Sequence, residues 1–202
     1  MRQQLITAID QHQSEFGLKL SPDRVERLAD YYDLVMENNA LLHLVAPCSA
    51  EEFAIRHILE SLTLLEYLPE AIKFADVGAG GGLPSIPCLL VRDDLKAVLI
   101  ESKEKKSKFL DLAISKLGIS ARAAVVNTQF QEADLADCES VTCRALDKFT
   151  EKLPRLLHWA KRRTMLLFGG HSLGEALLNE KIRFDQKLMP MSERRFLYIK
   201  NK

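Results

Sequence analysis

Residues Lys73 to Ser85 read K-F-A-D-V-G-A-G-G-G-L-P-S: a short apolar run ending in Asp76-Val77 passes into four glycines, Gly78, Gly80, Gly81 and Gly82. Glycine accepts a positive φ and has no Cβ, so such a run lets the backbone turn sharply and lie against a ligand. After a strand and before a helix, this is the first βα turn of a nucleotide-type binding fold. The next apolar run, Leu95 to Ile100, closes on Glu101. In a doubly wound sheet, a carboxylate at the end of the second strand faces the same crevice as the glycine loop. It can accept two ribose hydroxyl hydrogen bonds there.

Loop and acid together point to an adenosine-bearing cofactor. The dinucleotide fingerprint wants a small residue at the third glycine of G-x-G-x-x-G, whereas Leu83 fills that position here and Pro84 follows. A bulky residue there argues against a pyrophosphate on the helix N-terminus. S-adenosylmethionine has no phosphate and needs room for a methionine tail and an acceptor for its ribose, so it is favoured over NAD. An NAD-dependent oxidoreductase stays as the alternative. It explains the glycines and Glu101 but not Leu83-Pro84, and no S-x-x-x-Y-x-x-x-K or comparable proton relay is present.

The 202 residues are 47% hydrophobic and 28% charged, with no membrane-length apolar run and no signal-peptide core after Met1. A cytoplasmic globular protein without membrane contact is expected. Cys48, Cys88, Cys138 and Cys143 show no C-x-x-C spacing and no nearby histidine pair, so reduced buried thiols and no metal are expected. The formal net charge of zero conceals an asymmetry. Residues 1–72 hold 5 Lys and Arg against 12 Asp and Glu, leaving 23 against 16 for residues 73–202. The basic part suits an anionic partner.

The apolar spacing divides the chain at the same place. Leu5, Ile9 and Phe16 share a helix face. Ser21-Pro22 opens a second helix striped by Val25, Leu28, Tyr32 and Val35 and ending near Asn38-Asn39. Ser49 with Glu52 reads as a capping box for a third helix carrying Phe53, His57, Ile58, Leu62 and Leu65. Residues 1–72 are therefore expected to be an N-terminal helical segment. Residues 73–202 alternate strands and helices: strands at 74–77, 95–100, 121–126, 140–143 and 164–168, with helices over 86–91, 109–117 and 153–160. Arg183 to Met189 and Phe196 to Lys200 read as an antiparallel pair at the sheet edge. The fold class is α/β, a mostly parallel sheet with helices on both faces.

These pieces resemble the ribosomal small-subunit RNA methyltransferase G family, from about the second helix to the C-terminus. Its R-H-I-L-D-S segment is matched by Arg56-His57-Ile58-Leu59-Glu60-Ser61, and its D-V-G-T-G-x-G-[FL]-P-G loop by Asp76 to Ser85. L-L-D-S is matched by Leu99-Ile100-Glu101-Ser102, K-K-x-x-F-L by Lys105 to Leu110, and S-R-A by Cys143-Arg144-Ala145. The resemblance implies a class I, Rossmann-like methyltransferase fold that uses S-adenosylmethionine to methylate N7 of a guanine in small-subunit ribosomal RNA. Cofactor contacts would fall on Gly78, Gly80, Leu83, Glu101, Gln129, Phe130 and Arg144.

The sequence also departs from the family pattern. N-L-T becomes Leu42-His43-Leu44, R-x-E-E becomes Thr128-Gln129-Phe130-Gln131, K-G becomes Gly169-Gly170, and Ser85 stands where a glycine is usual. A cofactor-binding RNA module without methyl transfer is therefore a further alternative. Guanine N7 has a free lone pair, so no catalytic base is expected; the enzyme has to place it in line with the methyl group. RNA contacts are expected at Lys105, Lys106, Lys108, Arg144 and Lys148, where strands emerge in such a fold. The target would be a splayed or loop nucleotide, and the protein a monomer.

Overall fold

A sheet buried on both faces needs apolar residues at successive positions, and this chain supplies them in two alternating sets. In β5 (Thr164–Gly169), Leu166 and Phe168 enter one core while Met165 and Leu167 enter the other. Strand β7 (Phe196–Lys200) repeats this, with Leu197 and Ile199 opposed to Phe196 and Tyr198. The computed structural model describes residues 1–135, 137–144 and 146–202, so Ala145 of the expected S-R-A match lies outside the described residues.

The sheet has seven strands in the order β3-β2-β1-β4-β5-β7-β6. Strands β1 (Lys73–Val77), β2 (Lys96–Ile100), β3 (Ala123–Val126), β4 (Ser140–Arg144) and β5 are parallel. Strand β7 runs antiparallel to both β5 and β6 (Asp185–Leu188), which makes the antiparallel edge expected from the sequence. Strand order reverses beside β1, so the carboxyl ends of β1, β2 and β4 open a crevice.

Helices α1 (Arg2–His12), α2 (Pro22–Leu42), α3 (Ala50–Phe53) and α4 (Glu60–Leu62) cover one face together with α5 (Ser85–Val91) and α6 (Glu104–Lys116). Helices α7 (Phe149–Trp159) and α8 (His171–Asn179) cover the other. The first core runs unbroken from Leu5 and Leu28 through Phe53 and Ile58 to Leu89 and Phe109. Residues 1–72 thus pack directly on the sheet-bearing part, and the buried Tyr31 hydroxyl donates to the Gly81 carbonyl at 2.8 Å.

Three elements differ from the sequence expectation. Helix α2 passes Asn38-Asn39 and ends at Leu42, with His43 left-handed at φ 48°. The Asn39 amide is used forwards: it donates to Val45 O and accepts from Val45 N–H, at 3.1 and 2.9 Å. The single helix expected after Ser49 starts as read, with Ser49 Oγ accepting from Glu52 N–H, but continues as a π-helical turn over Ala54–Leu59, α4 and a 3-10 turn over Thr63–Glu66. Ser61 and Thr63 hydroxyls donate to the carbonyls of His57 and Glu60, offering the backbone partners outside the regular ladder. Helix α8 is additional. Gly174 weakens its sequence signal, and the Tyr198 ring requires that glycine, since a Cβ there would lie 2.8 Å from Tyr198 Oη.

Candidate functional site

The glycine loop is bound across the end of β2. Gly78 and Ala79 N–H donate to Ile100 O at 2.9 and 3.1 Å. Gly80 N–H donates to one carboxylate oxygen of Glu101 at 2.9 Å and Lys103 N–H to the other at 2.8 Å. Glu101 is only 6% exposed and is held further by the Asn127 amide, which donates to its carbonyl. An ionised carboxylate has about four lone-pair sites, so two backbone N–H groups orient it without exhausting it. Gly78 and Gly80 have φ of 70° and 56°. A Cβ on Gly78 would also lie 2.7 Å from Leu146 Cδ1, whereas one on Gly80 would meet only Gly78 O, at 3.6 Å.

Beneath the loop, Asp76 is fully buried. One of its oxygens accepts from Ser85 Oγ at 2.6 Å; the other has no partner among the described residues, and burial raises the carboxyl pKa to about 7. The Ser85 hydroxyl thus has a use where the family has a glycine. At the start of α5, Ile86 N–H donates to Gly82 O at 2.8 Å and neither Pro84 nor Pro87 has an N–H, which makes this end a poor seat for a pyrophosphate.

The opposite wall stands at the end of β4. Arg144 donates to Arg56 O and pairs with Glu60, which is 2% exposed, at 3.2 Å. The other Glu60 oxygen accepts from Arg195 Nε at 2.6 Å, so one buried carboxylate ties α4, β4 and the β6–β7 hairpin together. His57 lies beside this group with Nδ1 buried and unpartnered among the described residues; burial, then Arg144, Arg56 and Arg195, lower its pKa to about 3. It is neutral at physiological pH.

Between these walls lies a cavity of about 560 Å³, lined by Gly78, Gly80, Leu83, Glu101, Gln129 and Arg144 among others. Six of the seven residues expected to touch cofactor therefore share one space. Phe130 is buried behind it, edge-on to Trp159 at 5.4 Å. Of the lysines, Lys106 lines the cavity and donates to His43 O, while Lys105 lines an adjoining groove between the end of α2 and the start of α6. Lys108 pairs with Glu104, and Lys148 with Glu151 at 3.8 Å; neither is on the cavity wall. Lys103 and Lys152 are. The Leu44–Ala46 wall, set by Asn39, and the Glu60 network were missed from sequence. Among the described residues no three His, Cys, Asp or Glu side chains form a metal-ligand group.

The sequence profile described as rRNA small subunit methyltransferase G matches residues 24–193. The chain belongs to that family. Relatives named ribosomal RNA small subunit methyltransferase G include one from Pelotomaculum thermopropionicum, 36% identical over 60% of this chain and 52% of its own length. Another, from Sorangium cellulosum, is 34% identical over 68% and 60%, and one from Neisseria meningitidis serogroup B is 32% identical over 72% and 70%. The match thus spans about half the length of the first of these. A SAM-dependent methyltransferase from Aquifex aeolicus shares the fold at a TM-score of 0.61 and 15% identity, over 85% of this chain and 97% of that one. A tRNA methyltransferase from B. subtilis does so at 0.52 and 16%, over 71% and 65%.

As an rRNA small subunit methyltransferase G family member, the chain has local reasons for its departures. At Gly169, where the family has lysine, a Cβ would lie 2.6 Å from Leu173 Cδ2 and 2.8 Å from its Cβ, so a side chain there would force Leu173 on α8 to shift. After β3, where the family's carboxylates are replaced, Thr128 Oγ1 donates to Glu132 at 2.7 Å and closes the loop that carries Gln129.

Proposed function

We propose that the protein transfers the methyl group of S-adenosylmethionine to N7 of a guanine in small-subunit ribosomal RNA. The observation that carries this reading is the Glu101 carboxylate, oriented by Gly80 N–H and Lys103 N–H beside a glycine loop whose third glycine position is filled by Leu83. The residues fit the cofactor: Glu101 would accept from the ribose hydroxyls, Gly78 and Gly80 would admit it close to the backbone, and Leu83 and Gln129 would line it, with Phe130 behind. Bound there, S-adenosylmethionine supplies an electrophilic methyl group on a sulfonium. Arg144, fixed by Glu60, offers a guanidinium edge to the cofactor carboxylate or to an RNA phosphate. Neutral His57 adds no positive charge near the purine, on which positive charge develops. What the chain contributes is alignment of N7 and exclusion of water, since the lone pair needs no base.

On this reading residues 1–72 form a helical cap on an S-adenosylmethionine-binding unit of residues 73–202. Lys105, Lys106 and Lys108 of α6, with Arg144 and Lys148, hold RNA phosphates at the rim. The working unit on this reading is a monomer acting in the cytoplasm. Among the described residues no helix is long and apolar enough to cross a membrane. Single-turnover labelling of naked and assembled small-subunit RNA with methyl-labelled cofactor tests the reading. Label retained in 7-methylguanine supports it; cofactor binding without label in RNA replaces it with a binding module.

A further inference from the structure

Helix α7 carries cations away from the cavity at helical spacing. Lys148 at its N-cap, then Lys152, Arg155 and Trp159, follow at intervals of four, three and four residues and so share one stripe. Lys152 lines the cavity. Roughly 10 Å further along the axis, at 1.5 Å per residue, Trp159 and Pro154 line an open groove of about 410 Å³ with Gln131, Arg155 and His158. The indole is held firmly: its N–H donates to Ala133 O at 3.2 Å, and the ring meets Phe130 edge-on. Arg155 is exposed and has no ion-pair partner among the described residues.

A fixed aromatic surface beside exposed cations suits single-stranded nucleic acid, whose phosphates meet the cations while a base stacks on the ring. The stripe opens at the cavity, so a strand with its target nucleotide in the cavity lies with its neighbours over α7. We propose that the Trp159–Pro154 groove is a second RNA site, taking an unpaired base that flanks the target while Lys152 and Arg155 hold the intervening phosphates. This rests on the reading of RNA as substrate. A protein partner would be served by the apolar groove alone; the cations leading to it from the cavity favour RNA.

Trp159 is the only tryptophan in the chain, which makes it the probe. The protein is titrated at low salt with a mixed-sequence single-stranded oligoribonucleotide and, separately, with inorganic polyphosphate. RNA is expected to quench tryptophan emission saturably, and polyphosphate to bind without quenching. Arg155→Ala, which keeps the fluorophore, is expected to weaken RNA binding about threefold or more and to flatten the slope of log K against log[salt] by about 0.7. Trp159→Leu, followed by anisotropy of labelled RNA, should weaken it roughly five- to a hundredfold; if that variant does not fold, the quenching and Arg155→Ala arms decide. RNA binding that leaves emission unchanged overturns the proposal, as does equal quenching by polyphosphate. Emission that follows protein concentration, with a doubled mass in sedimentation, gives the groove to a second copy and overturns it too. Methyl transfer run in parallel separates the two readings: transfer without quenching defeats the groove alone, and quenching without transfer defeats the proposed reaction alone.

Discussion

Glu101 concentrates several roles in one side chain. It bridges two backbone N–H groups, closes the glycine loop on β2 and presents its remaining lone pairs to the cavity. Glu101→Ala is expected to cut S-adenosylmethionine affinity about ten- to a hundredfold, from hydrogen bonds to a charged acceptor worth about 1.5–3 kcal/mol. Calorimetry measures this, and unchanged affinity would remove the ribose assignment. Asp76 lends itself to a pH experiment. Its carboxyl ionises near 3.8 when unfolded and near 7 when folded, so between those values the folded state holds a proton that the unfolded chain has lost. Stability therefore falls as pH rises from about 4 to 7, by on the order of 4 kcal/mol in total, then levels off. His57, with its pKa lowered, acts in the opposite sense: the unfolded chain binds the extra proton, so stability rises with pH between about 3 and 6.5. The two slopes offset each other in the parent, and Asp76→Asn is expected to expose the rising one in urea denaturation across this range. An identical pH profile for parent and variant would place the Asp76 pKa near its ordinary value.

At the scale of elements, α6 sorts its own lysines. Lys106 faces the cavity and reaches His43 O; Lys103, just before the helix, lines the cavity as well; Lys108 turns to Glu104. Replacing Lys103 and Lys106 by Ala is expected to flatten the salt slope of RNA binding by about 0.7–0.9 per contact, with a smaller change for Lys108→Ala. Equal slopes for all three variants would return the helix to a merely solvated role. The same contrast shows what a sequence exposes. Glycine loop, Glu101 and strands are legible because backbone demands and short continuous apolar runs act within a few residues. Lys106 and Lys108 look alike because two positions in a helix separate faces only once the partner helix is known. Glu60, Arg144 and Arg195 meet across 84 and 135 residues, and no local pattern announces such a pairing. Helix α8 was missed because Gly174 obeys the Tyr198 ring rather than helix propensity.

Across the whole molecule, three consequences follow. The unbroken first core makes helical cap and sheet unfold together, so far-ultraviolet dichroism and Trp159 emission are expected to report one coincident urea transition. Separate midpoints would show that residues 1–72 are held more loosely than Tyr31 and Gly81 imply. The chemical step is expected to be flat in rate from about pH 6 to 8.5, because N7 needs no base and His57 is neutral throughout; a steep rise near pH 7 in single turnovers that persists in Asp76→Asn, which removes the one carboxyl raised to about 7 beneath the loop, would identify a base. The place of β7 has a temporal consequence. It sits between β5 and β6, yet follows both in the chain, and Arg195 comes just before it. Vectorial synthesis therefore delivers the loop and Glu101 early, and the second arginine of Glu60 among the last strands. At about 5–20 residues per second, making the stretch from β5 to the end of β7 takes roughly two to six seconds. For that interval a nascent chain displays β5 as an unprotected edge, a window in which a chaperone or another unfinished strand can reach it.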